Sequence, residues 1–89
     1  MDLETRPTIP PQVMSRVVGD DTVLLDLASG MYFGLDGVGN SIWESISEGR
    51  SLADTAEAIV AEYDVTEEQA RADVIEFVTN LLECGLLAE

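Results

Sequence analysis

The residues that could do chemistry are few and badly matched to one another. Cys84 is the only cysteine, and the chain has no histidine. A thiol works as a nucleophile only with a base or a cation to activate it, and a zinc site here would have to be built from carboxylates alone. One cysteine also rules out a disulfide within the chain. Cys84 falls inside an apolar helical pattern and reads as a core residue. No serine has a histidine to activate it. The pair Glu67-Glu68 falls in the first turn of a helix, where carboxylates complement the helix dipole. Asp20-Asp21 sits in a turn, where Asp bonds its own backbone, and calcium would need several more oxygens than these two side chains supply. Gly37-Val38-Gly39 lacks the third glycine and the following βαβ unit of a nucleotide fingerprint, so Gly39 reads as a close-packing position in a helix. Taken together, these absences argue against an enzyme and imply neither a cofactor nor a metal.

What remains is binding, and the charge narrows the partner. Four basic residues stand against eighteen acidic ones, a net charge of −14 over 89 residues. Nucleic-acid affinity comes from Lys and Arg neutralising phosphates, so DNA and RNA are repelled, and anionic membrane surfaces are disfavoured for the same reason. The excess acid keeps the chain soluble and favours neutral or basic partners. The start has no basic region followed by an apolar run, and no apolar stretch reaches the ~18–20 residues needed to span a bilayer. The expected compartment is the cytoplasm.

The elements that must position any binding surface follow from periodicity. Residues 1–11 carry three prolines and no period, which predicts an extended or disordered tail. A single domain is expected over 12–89. Val13, Met14, Val17 and Val18 form a first strand, and Gly19-Asp20-Asp21 forms a turn. Thr22 to Leu27 form a second strand, with Val23, Leu25 and Leu27 on one face and Thr22 and Asp26 on the other. After Ala28-Ser29-Gly30, Met31-Tyr32-Phe33-Gly34-Leu35 forms a third strand. Short connections of this kind predict an antiparallel meander.

From Asp36, a plausible N-cap, the period becomes helical. Val38, Ile42 and Ile46, with Trp43 beside them, mark a first helix that ends at Gly49. Ser51 opens a second helix with Leu52, Ala56, Ile59, Val60 and Tyr63 on its buried face. Thr66-Glu67-Glu68-Gln69 is a capping box that opens a third helix running to about Cys84. Ala70, Val74, Phe77, Val78 and Leu81 form its stripe, flanked by Arg71, Ile75 and Leu82. Gly85 follows as a left-handed C′ residue. The fold class is α+β, a three-stranded antiparallel sheet followed by three helices that cover its inner face.

The third strand is the candidate binding element. Proteins blunt exposed sheet edges with charge or proline, yet Met31 to Leu35 have neither. Such an edge can accept a foreign strand through its main chain. Tyr32 and Phe33 point to opposite faces, so one can serve the core and the other a partner. Arg71, Val74, Ile75 and Val78 are spaced to line a second wall on the third helix, with Arg71 suited to an acidic side chain or a carbonyl.

The stretch from Asp26 to Glu44, Asp-Leu-Ala-Ser-Gly-Met-Tyr-Phe-Gly-Leu-Asp-Gly-Val-Gly-Asn-Ser-Ile-Trp-Glu, resembles the pattern of the PqqD-like family. That pattern is a polar strand end, a Gly turn, an aromatic pair, then Leu-Asn/Asp-x-x-Gly-x-x-Ile-Trp. The close of the last helix in Gly85-Leu86-Leu87 is also similar, and the likeness covers roughly residues 12–88. It implies a RiPP recognition element with a winged-helix-like fold, in which the leader of a ribosomally made precursor adds as a strand to the third strand, beside the third helix. By position, this assigns peptide binding to Met31, Tyr32, Phe33, Gly34, Leu35, Arg71, Val74, Ile75 and Val78. The length and the Tyr-Phe strand look most like the recognition protein of lasso-peptide clusters, whose partners are a leader peptidase and an ATP-dependent cyclase. The alternative within the family is a peptide chaperone serving a radical enzyme in quinone-cofactor biosynthesis. A monomer or an edge-strand dimer is compatible with either.

Two rivals outside the family have specific weaknesses. Acyl and peptidyl carrier proteins are similarly acidic and short, and Asn40-Ser41-Ile42 echoes their Asp-Ser-Leu site. Carriers are all-helical, however, and no Asp precedes Ser41. A winged-helix DNA binder fits the topology but not the charge. Incubation with a phosphopantetheinyl transferase and coenzyme A should leave the intact mass unchanged; a gain of one phosphopantetheine would revive the carrier reading.

Overall fold

The computed structural model describes residues 2–89. Three strands, β1 (Val13–Val18), β2 (Asp21–Asp26) and β3 (Tyr32–Leu35), are followed by α1 (Gly37–Ser47), α2 (Leu52–Glu62) and α3 (Glu67–Glu83). The sheet is an antiparallel meander in the order β1-β2-β3, so β2 is the middle strand and both outer strands have a free edge. The hairpins turn through Gly19 and Gly30, whose positive φ values of 64° and 77° few side chains tolerate. Asp26 organises the second turn: its carboxylate accepts from Ala28 N–H at 3.0 Å and Ser29 Oγ at 3.1 Å.

The inner face of the sheet is set by Leu24, which is completely buried, with Thr22 buried beside it. Val23 and Leu25 do share a face, but it is the outer one. Strand alternation says which residues lie together and not which set meets the helices. Leu24 packs into one core with Ile42, Trp43 and Ile46 of α1, Leu52, Ala56 and Ile59 of α2, and Ala70, Val74, Val78 and Leu81 of α3. Val60, expected on the buried face of α2, is 37% exposed.

Caps and small polar pairs hold the helices. Ser51 and Thr66 accept from the N–H groups of Asp54 and Gln69, both at 3.1 Å. The Gln69 side chain bonds Asp73 at 2.8 Å and does not reach back to Thr66, so only half of the capping box forms. Asp36 occupies the N-cap of α1 in extended geometry but makes no side-chain cap. At the end of α3, Gly85 N–H donates to Leu82 C=O (3.2 Å) and Leu86 N–H to Leu81 C=O (2.9 Å), the two bonds of a Schellman motif. Asn40 joins α1 to the sheet by bonding Thr22 Oγ1 and donating to Asp20 C=O at 2.9 Å. Thr55 Oγ1 donates to Ser45 Oγ at 3.0 Å between α2 and α1.

The lead-in, for which the prolines allowed extended or disordered backbone, is tied down at several points. Ala53 and Leu52 N–H, orphan donors of the first turn of α2, bond the carbonyls of Leu3 (2.8 Å) and Thr5 (3.0 Å). Arg6 donates to Gly49 C=O at 2.5 Å. Thr8 and Ala88 exchange both main-chain bonds, at 2.7 and 2.8 Å. The segment therefore lies against α2 and the C-terminal end and forms no ladder with β3.

Burial predicts unequal losses at neighbouring β2 positions. Leu24→Ala should lower unfolding free energy by about 2–5 kcal/mol, and Val23→Ala by about 1 kcal/mol or less. Urea denaturation followed by circular dichroism measures both; equal losses would mean that the inner face is misassigned.

Candidate functional site

The edge of β3 has a defined hydrogen-bonding parity. Asp26 N–H donates to Met31 C=O at 2.9 Å, and on the other side Leu27 N–H donates to Gln12 C=O at 2.8 Å. The even residues of β2 therefore bond toward β3 and the odd ones toward β1. Antiparallel alternation then pairs Phe33 with Leu24 and Leu35 with Thr22. Tyr32 and Gly34 are left with their N–H and C=O groups directed at the open edge. No strand among the described residues covers that edge.

Side chains alternate with the same parity. Phe33 and Leu35 point inward and lie half-buried against the core, whereas Tyr32 stands on the outer face, 75% exposed. Met31 precedes the strand and is exposed, with its N–H on Ser29 Oγ at 3.2 Å. Gly34 leaves space: a Cβ there would meet nothing within 4 Å.

Beyond Leu35 the chain turns into α1, where a cleft of about 210 Å³ opens between α1 and α3. It is lined by Val38, Gly39, Ile42, Asp73, Glu76, Phe77 and Asn80. Phe77 and Val38 are half-buried against the same core as Phe33 and Leu35. Gly39 is needed for this approach, because a Cβ on it would sit 3.1 Å from Phe77 Cε2. The polar groups of the cleft are two carboxylates and one amide, which suit a basic or hydrogen-bond-donating guest.

The α3 residues expected to form the second wall lie elsewhere. Val74 and Val78 are completely buried in the core, so they position the helix and offer no surface. Arg71 is exposed and held by Glu67 one turn earlier. Ile75 is 37% exposed. At about 100° per residue, Arg71 and Ile75 lie about 200° around α3 from Asp73, on the side away from the cleft. The face toward α1 consists of Asp73, Glu76, Phe77 and Asn80 instead. Its sequence signal was Gly39, a small residue that marks where another side chain comes close. No group of three or more metal-ligating side chains occurs among the described residues.

Cys84 is also not in the core. It is the C-cap of α3 and is exposed, because the helix ends one residue earlier and the Gly85 turn swings Leu86 inward in its place. Ellman's reagent should titrate one thiol per chain in native buffer, and Cys84→Ser should leave the circular dichroism spectrum unchanged. A thiol that reacts only in denaturant would contradict the exposed position.

Comparison with known proteins places this geometry in context. The family model for coenzyme PQQ synthesis protein D (PqqD) matches residues 21–87. The structure of TbiB1 in complex with the TbiA(beta) leader peptide superposes with a TM-score of 0.87 at 39% identity, over 90% of this chain and 93% of that one. A lasso peptide synthetase B1 complexed with the leader peptide gives a TM-score of 0.89 at 29% identity, over 96% of this chain and all of that one. No curated protein sequence matches.

Proposed function

Because the chain belongs to the PqqD family, we propose that it is a non-catalytic recognition element that holds the leader of a lasso-peptide precursor as a fourth strand on β3. The observation that carries this reading is the open, uncharged β3 edge, where the main chain of Tyr32 and Gly34 is unpaired and Phe33 and Leu35 supply an apolar floor. Two structural relatives bound to leader peptides support it. Met31, bonded to Asp26 just before β3, adds an exposed apolar side chain, and the adjoining cleft accepts side chains of the guest.

The cleft refines what the guest should contain. Asp73 and Glu76 at its rim, in a chain of net charge −14, favour a leader with an apolar residue over Phe77 and a Lys or Arg beside it. Arg71, already engaged by Glu67, contributes less than a free cation would. The bound precursor is then handed to a leader peptidase and a cyclase. The family's description in cofactor synthesis keeps a second reading in view, a peptide chaperone for a radical enzyme; the two make the same strand contact and differ in which enzyme accepts the complex.

Calorimetric titration with the leader segment of the precursor encoded beside this chain should give a Kd from micromolar to nanomolar, about 8–12 kcal/mol. Phe33→Ala should weaken binding at least tenfold, about 1.4 kcal/mol. A leader N-methylated at the residues opposite Tyr32 and Gly34 should lose more, since the methyl removes the ladder donors. Undiminished affinity of the methylated peptide would mean that the leader is not held as a strand.

A further inference from the structure

The opposite side of the sheet carries a groove that the β3 edge does not share. The odd residues of β2 bond toward β1, where they pair with Met14, Arg16 and Val18, so the main chains of Ser15 and Val17 face the open edge. Val13 N–H is already taken by Pro10 C=O at 3.0 Å, and no strand among the described residues covers the rest. Beneath this edge a groove of about 470 Å³ lies between β1 and α1. Ser15 and Val17 line one wall, and Trp43, Glu44 and the C-cap Glu48 line the other.

Each wall carries an unmet requirement. Val17 is in register with the buried Thr22, yet it is 67% exposed. Glu44 has no cationic partner among the described residues, and Glu48 meets only the half-exposed Arg50, at 3.2 Å. Trp43 is 2% exposed, and its Nε1 has no hydrogen-bond acceptor. A buried donor left unpaired is costly, and a carbonyl brought to the floor of the groove supplies what it lacks.

Charge selects the occupant. All four cations of the chain are arginines, and the one in a strand, Arg16, lies on the outer face of β1, away from Glu44 and Glu48. A second copy paired through β1 would bring no cation to the groove and would set one net charge of −14 against another. An antiparallel guest continues the alternation of the sheet. Its residues bonded to Ser15 and Val17 point into the groove, and those between them lie on the outer face beside Met14 and Val18, each 56% exposed. We propose that the β1 edge and its groove form a second strand-accepting site, for an extended segment of another polypeptide in which lysine or arginine alternates with apolar residues. The cations meet Glu44 and Glu48, and the apolar residues extend the outer face. The site does not depend on the leader-holding reading, because it lies on the other edge of the sheet.

The test titrates the full chain at low salt with the probe acetyl-Val-Lys-Val-Lys-Val-Lys-Val-amide, followed by calorimetry and by the emission of Trp43, the only tryptophan. Saturable binding with a shift in that emission is expected. Glu44→Gln combined with Glu48→Gln should weaken it about fivefold. Phe33→Ala and Asp73→Asn, on the β3 side, should leave it unchanged, with the same circular dichroism in every variant. A probe N-methylated on the main chain of its lysines should not bind, and one with the lysines in a single block, Val-Val-Lys-Lys-Lys-Val-Val, should bind about fivefold more weakly. Absence of saturation up to about 1 mM probe overturns the proposal. So does equal affinity for the blocked or methylated probe, which would mean charge attraction alone. A loss in Phe33→Ala with none in the double glutamine variant would put the probe on β3 and overturn it as well, leaving the function proposed above untouched.

Discussion

Leu24, buried at the centre of the middle strand, is the residue around which the rest is arranged. It is paired on one side with Ser15 of β1 and on the other with Phe33 of β3, and all three helices contribute to the core it enters. With β2 saturated on both sides, the sheet can grow only at its margins. The margins are not equivalent. The β1 margin presents Val13, Ser15 and Val17 main chain, with Glu44 of α1 and its C-cap Glu48 lining the adjoining cavity. The β3 margin has an aromatic side chain beneath it and the α1–α3 cleft beyond its end. An open edge risks indiscriminate pairing, and a four-residue strand limits the length over which that can occur.

A domain this small buries a modest share of its surface, and polar ties between elements supplement the core. Asn40 links α1 to β2 and its turn, Ser41 bonds Tyr63 across to the end of α2 at 2.9 Å, and Thr55 bridges to Ser45. Each tie orients α1, the helix that follows directly from β3. The orientation of α1 in turn brings Gly39 against Phe77. One donor is left out: among the described residues, Trp43 Nε1 is the only buried side-chain nitrogen or oxygen without an acceptor.

Element order was readable because its punctuation is chemical. Gly19, Gly30 and Gly85 adopt positive φ, Ser51 and Thr66 cap, and the period changes at Asp36. The open third strand was readable because it carries no charge and no proline. Faces were harder. The run Val23-Leu24-Leu25 is apolar at every position, so alternation could not say which residue goes in. On α3 apolar residues cover more than half the circumference, and the helix wheel does not say where α1 will lie; only the Gly39–Phe77 approach does. Val74 and Val78 looked like groove walls because a core stripe and a binding stripe have the same composition. Cys84 looked internal because the pattern was carried one residue past the last turn.

The reciprocal bonds between Thr8 and Ala88 bring the two ends of the domain side by side. From Thr8 the lead-in runs onto the first turn of α2 and forms no ladder with β3. Loosening either residue frees both bonds, so the two ends of the fold open as one unit.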